Sequence, residues 1–121
     1  MVTDTKTKSL LIVEAALGKK AMNPILLEMG GIASFTDYFF ICSGNSDRQV
    51  QAIAEGIEEV LREEGVKPLG IEGTQQGRWI LMDYTDVVVH IFDPEWRRLY
   101  DLELLWGDAP RLKPRKRAAI A

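Results

Sequence analysis

The chain has 121 residues, 46% of them hydrophobic and 27% charged, which suits one globular domain and excludes a disordered, collagen-like or coiled-coil bulk. Its single cysteine, Cys42, excludes an intrachain disulfide, and with a single histidine, His90, no zinc site of several Cys and His ligands can be assembled. The net charge of −3 is unevenly spread: from Arg111 onward there are five basic residues and no acid (+5), so the first 110 residues hold 10 basic against 18 acidic side chains (−8).

An acidic body invites a basic partner, and a basic tail invites a polyanion such as RNA. The expected organisation is a domain over residues 1–110 followed by a basic tail, 111–121, without fixed structure. The longest apolar runs, Leu10 to Val13 and Tyr38 to Cys42, fall far short of the roughly 18 residues of a membrane span. With one unpaired thiol, a reducing, cytoplasmic setting is expected.

In chain order, Leu10, Leu11, Val13, Ala15 and Leu17 mark a helix over Thr7 to Lys20, with Thr7 or Ser9 as its N-cap and Gly18 near its end. Ile25 to Met29 follow Pro24, which cannot donate to a ladder, and so read as an edge strand. After Gly30 and Gly31, the stretch Asp37 to Ser43 is apolar on both faces, as a central strand must be. Ser46 with Gln49 forms a capping box, and Val50, Ile53, Ala54, Ile57, Val60 and Leu61 recur at helical spacing up to the stop at Gly65. Val66 to Glu72 reads as the next strand, completing a right-handed strand–helix–strand crossover. Gly73 to Gly77 is a loop. Arg78 to Tyr84 and Val87 to Phe92 read as a hairpin about Thr85 and Asp86, although Thr fits a type I′ turn poorly. Asp93 and Pro94 open a helix to about Tyr100, and one more turn, Asp101 to Trp106, ends at Gly107.

With Thr85 and Asp86 as the turn, the hairpin register follows. Tyr84 faces Val87, Met82 faces Val89 and Ile80 faces Ile91, a wholly apolar side that belongs to the core. The other side pairs Asp83 with Val88, Leu81 with His90 and Trp79 with Phe92. Such a face is either covered by the chain's own helices, with His90 half-buried and hydrogen-bonded, or left for a partner. Trp96 and Trp106, near Leu99, Leu102 and Leu105, read as core. Trp79, beside Arg78 and after a glycine loop, is a candidate interface anchor.

Catalytic constellations are weak. The turn Ser43, Gly44, Asn45, Ser46 could hold an anion on backbone amides, as in nucleotidyltransferases. Those enzymes add two acids one residue apart on a neighbouring strand, where this chain offers only Glu72. Asp83 and Asp86 have the wrong spacing. Cys42 in "FFICS" should be buried and inert, and no Gly-x-Ser-x-Gly elbow, Walker loop or dinucleotide fingerprint occurs. No enzyme activity, metal or cofactor is therefore expected. A reduced nucleotidyltransferase using the Ser43 to Ser46 turn is the alternative, and a self-associating scaffold a third.

The segments "DYFFICSGNSDRQVQAIAEGIEEVL" (37–61), "GVKPLGIEG" (65–73), "GRWILMDYTDVVVHIFDPEWRRLYDLELLW" (77–106) and "GDAPRL" (107–112) together resemble the ribosomal silencing factor, or Iojap-like, family over roughly residues 7 to 112. The resemblance implies a single α/β domain with a mixed sheet of about five strands flanked by helices, related to nucleotidyltransferases but without their acids. It implies binding to the large ribosomal subunit through ribosomal protein L-fourteen, steric obstruction of small-subunit joining, a part in large-subunit maturation, and in some members a homodimer. Carried over by motif position, the expected partner-binding residues are Trp79, Leu81, Asp83, Tyr84, Asp86 and His90, with Ser43, Gly44 and Asp47 as a family-signature turn.

Overall fold

A computed structural model describes residues 4–112. Its elements are α1 (Thr5–Gly18), β1 (Met22–Glu28), β2 (Tyr38–Ser43), α2 (Asp47–Glu63), β3 (Gly70–Glu72), β4 (Trp79–Asp83), β5 (Val87–Phe92), α3 (Pro94–Tyr100), α4 (Leu102–Leu105) and β6 (Arg111–Leu112). The strands form one mixed sheet in the order β3-β4-β5-β2-β1-β6. Among the described residues only β2 and β5 pair in parallel, Tyr38 opposite Val87 through Ser43 opposite Phe92.

Local chemistry explains the ends. Asp4, not Thr7 or Ser9, caps α1, its carboxylate accepting from the Thr7 backbone N–H at 2.8 Å and from the Thr7 hydroxyl. Ser46 caps α2 as expected, accepting from the Gln49 N–H. The Gln49 side chain reaches back one residue past the cap, to the Asn45 N–H at 2.6 Å. Asp93 caps α3 with Pro94 in its first turn.

Three expectations change. Pro24 lies in a register shift between Met22 and Ile25, where no ladder bond is asked of it. β1 is therefore not the edge, because β6 pairs beyond it, Leu112 opposite Leu26 and Arg111 opposite Leu27. Those two residues, counted by composition in the tail, belong to the sheet, and the rest of the expected tail lies outside the described residues. The strand expected over Val66 to Glu72 shrinks to Gly70–Glu72 behind Pro68. It runs in the same direction as β2, as a crossover requires, but β4 and β5 lie between them.

The sheet separates two apolar layers. Beneath α1 and α2 lie Phe40, Cys42, Ile80, Met82, Val87, Val89 and Ile91, packed against Ile12, Val13, Val50, Ile53, Ile57 and Leu61. The opposite face gathers Leu27, Met29, Phe39, Ile41, Val88 and Phe92 under Leu102 and Ala109, with Trp79, Leu81, Trp96 and Trp106 partly buried around them.

Candidate partner-binding site

The β4–β5 hairpin has the register expected, Trp79 opposite Phe92, Ile80 opposite Ile91, Leu81 opposite His90, Met82 opposite Val89 and Asp83 opposite Val88. Its turn is tight. Thr85 takes the positive φ of 74°, the Asp86 N–H bonds the Tyr84 carbonyl at 3.0 Å, and the Asp83 carboxylate accepts from the Thr85 N–H at 2.8 Å. A positive φ at a β-branched residue is strained, and the Asp83 bond helps to hold it.

Tyr84 falls on the core side, 2% exposed. Burial, and then the charge of Glu58, push its phenol pKa above the ordinary value, so the side chain is a neutral part of the core. His90 is also inside, 4% exposed. Its Nδ1 accepts from the indole N–H of Trp79 at 3.2 Å, with the Phe39 ring 4.7 Å away in a T-shaped arrangement. Burial lowers the imidazole pKa to about 4, so the ring is neutral. Both residues, expected among the partner-binding set, are buried in this chain.

The chain's own C-terminal segment covers much of the outer hairpin face. Trp79 lies between Phe92, ring centroids 4.9 Å apart, and Tyr100 at the end of α3, 4.8 Å apart. Trp106 stands edge-on to Phe39 at 6.0 Å. Arg78 fastens the start of β4 to this cover through Asp93 at 2.7 Å and Glu95 at 2.9 Å, with its guanidinium 4.9 Å from the Trp96 ring. Inside the cover Arg97 pairs with Glu103 at 3.2 Å and donates to the Ser43 hydroxyl at 3.0 Å. Trp79 and Leu81 remain only half-exposed.

What the cover presents outward was not read from the sequence. Leu99, Leu104 and Leu105 are 71%, 75% and 69% exposed, with Tyr100 and Phe35 also outward. Leu102 is the residue of this stretch that turns in. Trp96 and Trp106, expected in the core, are partly buried; α3 and α4 are short, and Asp101 between them adopts a left-handed conformation, φ 44°. That break swings the two turns out of one continuous periodicity. Leucines so exposed on consecutive turns mark a surface that gains by being covered.

The two expected rim acids already have internal partners. Asp86 accepts from Lys8 at 2.7 Å and from the Thr5 hydroxyl at 2.6 Å. Burial alone would raise its carboxyl pKa, but these bonds outweigh it and hold the group below its ordinary value. Asp83 gives one oxygen to the turn and stays half-exposed.

The signature turn serves the packing of α2 on the sheet. Ser43 is buried, a Cβ on Gly44 would stand 2.9 Å from the Val50 nitrogen, and Asp47 accepts from the Arg48 N–H in the first turn of α2. Cys42 is fully buried, and its thiol is pushed up to about 12 by burial. Among the described residues no three His, Cys, Asp or Glu side chains cluster as metal ligands would, and no helix is long and apolar enough to cross a membrane.

Against known proteins, residues 3–120 match the family model described as "Ribosomal silencing factor during starvation". Ribosomal silencing factor RsfS of Halalkalibacterium halodurans is 48% identical over 103 residues, 85% of this chain and 88% of that one. A crystal structure of a Chromobacterium violaceum protein superposes with a TM-score of 0.85 at 36% identity, covering 95% of this chain and 93% of the other. More distantly, a mouse protein named "Mitochondrial assembly of ribosomal large subunit protein 1" is 33% identical over 75 residues, 60% of this chain and 33% of that protein.

Proposed function

The chain belongs to the ribosomal silencing factor family, and from that premise we propose that it is a translation repressor of the cytoplasm. It binds the large ribosomal subunit through ribosomal protein L-fourteen, blocks joining of the small subunit by occupying its space, and takes part in large-subunit maturation. No bond is made or broken in this mechanism. The observation that carries the docking surface is the outward apolar shelf of Leu99, Tyr100, Leu104 and Leu105, with Tyr100 against the partly buried Trp79. Such leucines and aromatics supply the anchor, and Asp83 with the acidic body favours a basic partner. The basic residues from Arg111 onward are suited to touch rRNA, and the same shelf suits a second copy of the chain, in competition with the subunit.

The test is co-sedimentation with purified large subunits in a gradient. Because Leu104 and Leu105 are exposed, the double change Leu104→Glu, Leu105→Glu should leave the circular dichroism spectrum intact. It should weaken binding by about 2 kcal/mol or more, roughly thirtyfold, and restore small-subunit joining in its presence. Normal co-sedimentation of that variant would place the docking surface elsewhere. An unmodified protein that does not travel with free large subunits would remove the ribosomal reading itself.

A further inference from the structure

We propose that His90 is a positioning residue for docking: its Nδ1 takes up the indole N–H of Trp79 and holds that ring as a fixed, donor-free platform for the partner. The inference rests on the docking reading above, in which Trp79 belongs to the contact surface. Its own support is geometric. The indole N–H has one direction to donate in, and it is directed inward, 3.2 Å from His90 Nδ1. Phe92 and Tyr100 pack against the ring at 4.9 and 4.8 Å, and with its N–H turned to the buried His90 the part of the indole they leave uncovered is carbon.

An indole N–H pressed against an apolar partner without an acceptor would oppose binding. A ring free to rotate would lose entropy on docking. His90 removes both costs before the partner arrives. Because Nδ1 accepts from the indole, the proton of the neutral ring stands on Nε2, which is buried and has no hydrogen-bond partner. A second proton would find no acceptor in a pocket bounded by Phe39 and Phe92.

Two substitutions separate positioning from mere packing. His90→Asn puts an amide oxygen where Nδ1 stands but removes ring area, whereas His90→Leu keeps apolar bulk and removes the acceptor. In the folded full-length protein, His90→Leu should weaken large-subunit binding by about tenfold and move the Trp79 indole N–H resonance upfield, with His90→Asn recovering most of both. Equal binding by His90→Leu and the unmodified protein, or equal losses in both variants, would overturn the proposal while leaving the docking reading in place. If instead Trp79→Ala binds as well as the unmodified chain, Trp79 is not part of the contact surface and the proposal falls, while the shelf is judged by its own variant. One measurement needs no substitution: a through-hydrogen-bond coupling between Trp79 Nε1 and His90 Nδ1 in nitrogen-15-labelled protein supports the assignment, and its absence overturns it.

Discussion

At the scale of single residues, His90 couples the fold to acidity. Its pKa is lowered from 6.5 to about 4 by burial, so the unfolded chain takes up a proton that the folded chain refuses. The stabilising contribution is complete above pH 6.5, declines as the pH falls from 6.5 to 4, and is constant below. It is on the order of 3 kcal/mol. Urea midpoints measured across that window should fall for the unmodified protein and stay flatter for His90→Leu. The carboxylates with lowered pKa, Asp4, Asp86 and Asp93, contribute stability above their ordinary range near 3.8 and lose it only as the pH drops below, so they do not obscure the effect. Gly44 is a second sensitive point. Gly44→Ala forces a methyl against the Val50 backbone and should cost about 1 to 3 kcal/mol in urea titration. The side assigned to Tyr84 was legible, because strand alternation decides it. The bond between Lys8 and Asp86 was not, because the residues lie 78 positions apart and nothing in local pattern joins them.

At the scale of elements, the hairpin was the most legible part. A two-residue turn flanked by period-two alternation leaves one register that buries a whole apolar face. The helix α2 was equally plain, since its cap and its buried stripe agree. The N-terminus of α1 was misjudged because Thr7, a fitting cap by type, donates to the better-placed Asp4. The candidate site was legible only in part: the pairing of Trp79 with Phe92 and of Leu81 with His90 could be read, but the shelf on α3 and α4 depends on the left-handed break at Asp101, which an aspartate does not announce. Two ties hold these elements. Asp86→Asn should loosen α1 from the hairpin, costing about 1 to 2 kcal/mol, with faster amide hydrogen exchange in the first turns of α1. Arg97→Ala removes the bonds to Glu103 and Ser43. It should release α4 and reduce large-subunit binding more than it lowers the midpoint of unfolding.

At the scale of the molecule, the two faces of the sheet have different tasks. One is sealed by the long helices α1 and α2. The other carries only the short α3 and α4, whose outward side remains apolar. Under the proposed docking, a body of −8 that meets a basic partner also sets the kinetics. The association rate with large subunits should fall steeply between about 0.05 and 0.3 M salt, while dissociation, governed by the apolar shelf, should change little. Stopped-flow measurement at several ionic strengths checks this. A strand–helix–strand unit and a hairpin were readable from periodicity, and the mixed sheet was expected from the family resemblance. The sixth strand was not, because two residues in a basic stretch carry no periodicity.

The parallel seam between β2 and β5 joins residues 49 positions apart in the chain. During synthesis, therefore, a nascent chain that has emerged only as far as Asp86 holds Tyr38–Ser43 with one flank open, its amides and carbonyls awaiting a strand not yet made. Until that strand arrives the growing polypeptide is vulnerable to chaperone capture and to pairing with its neighbours on the same message.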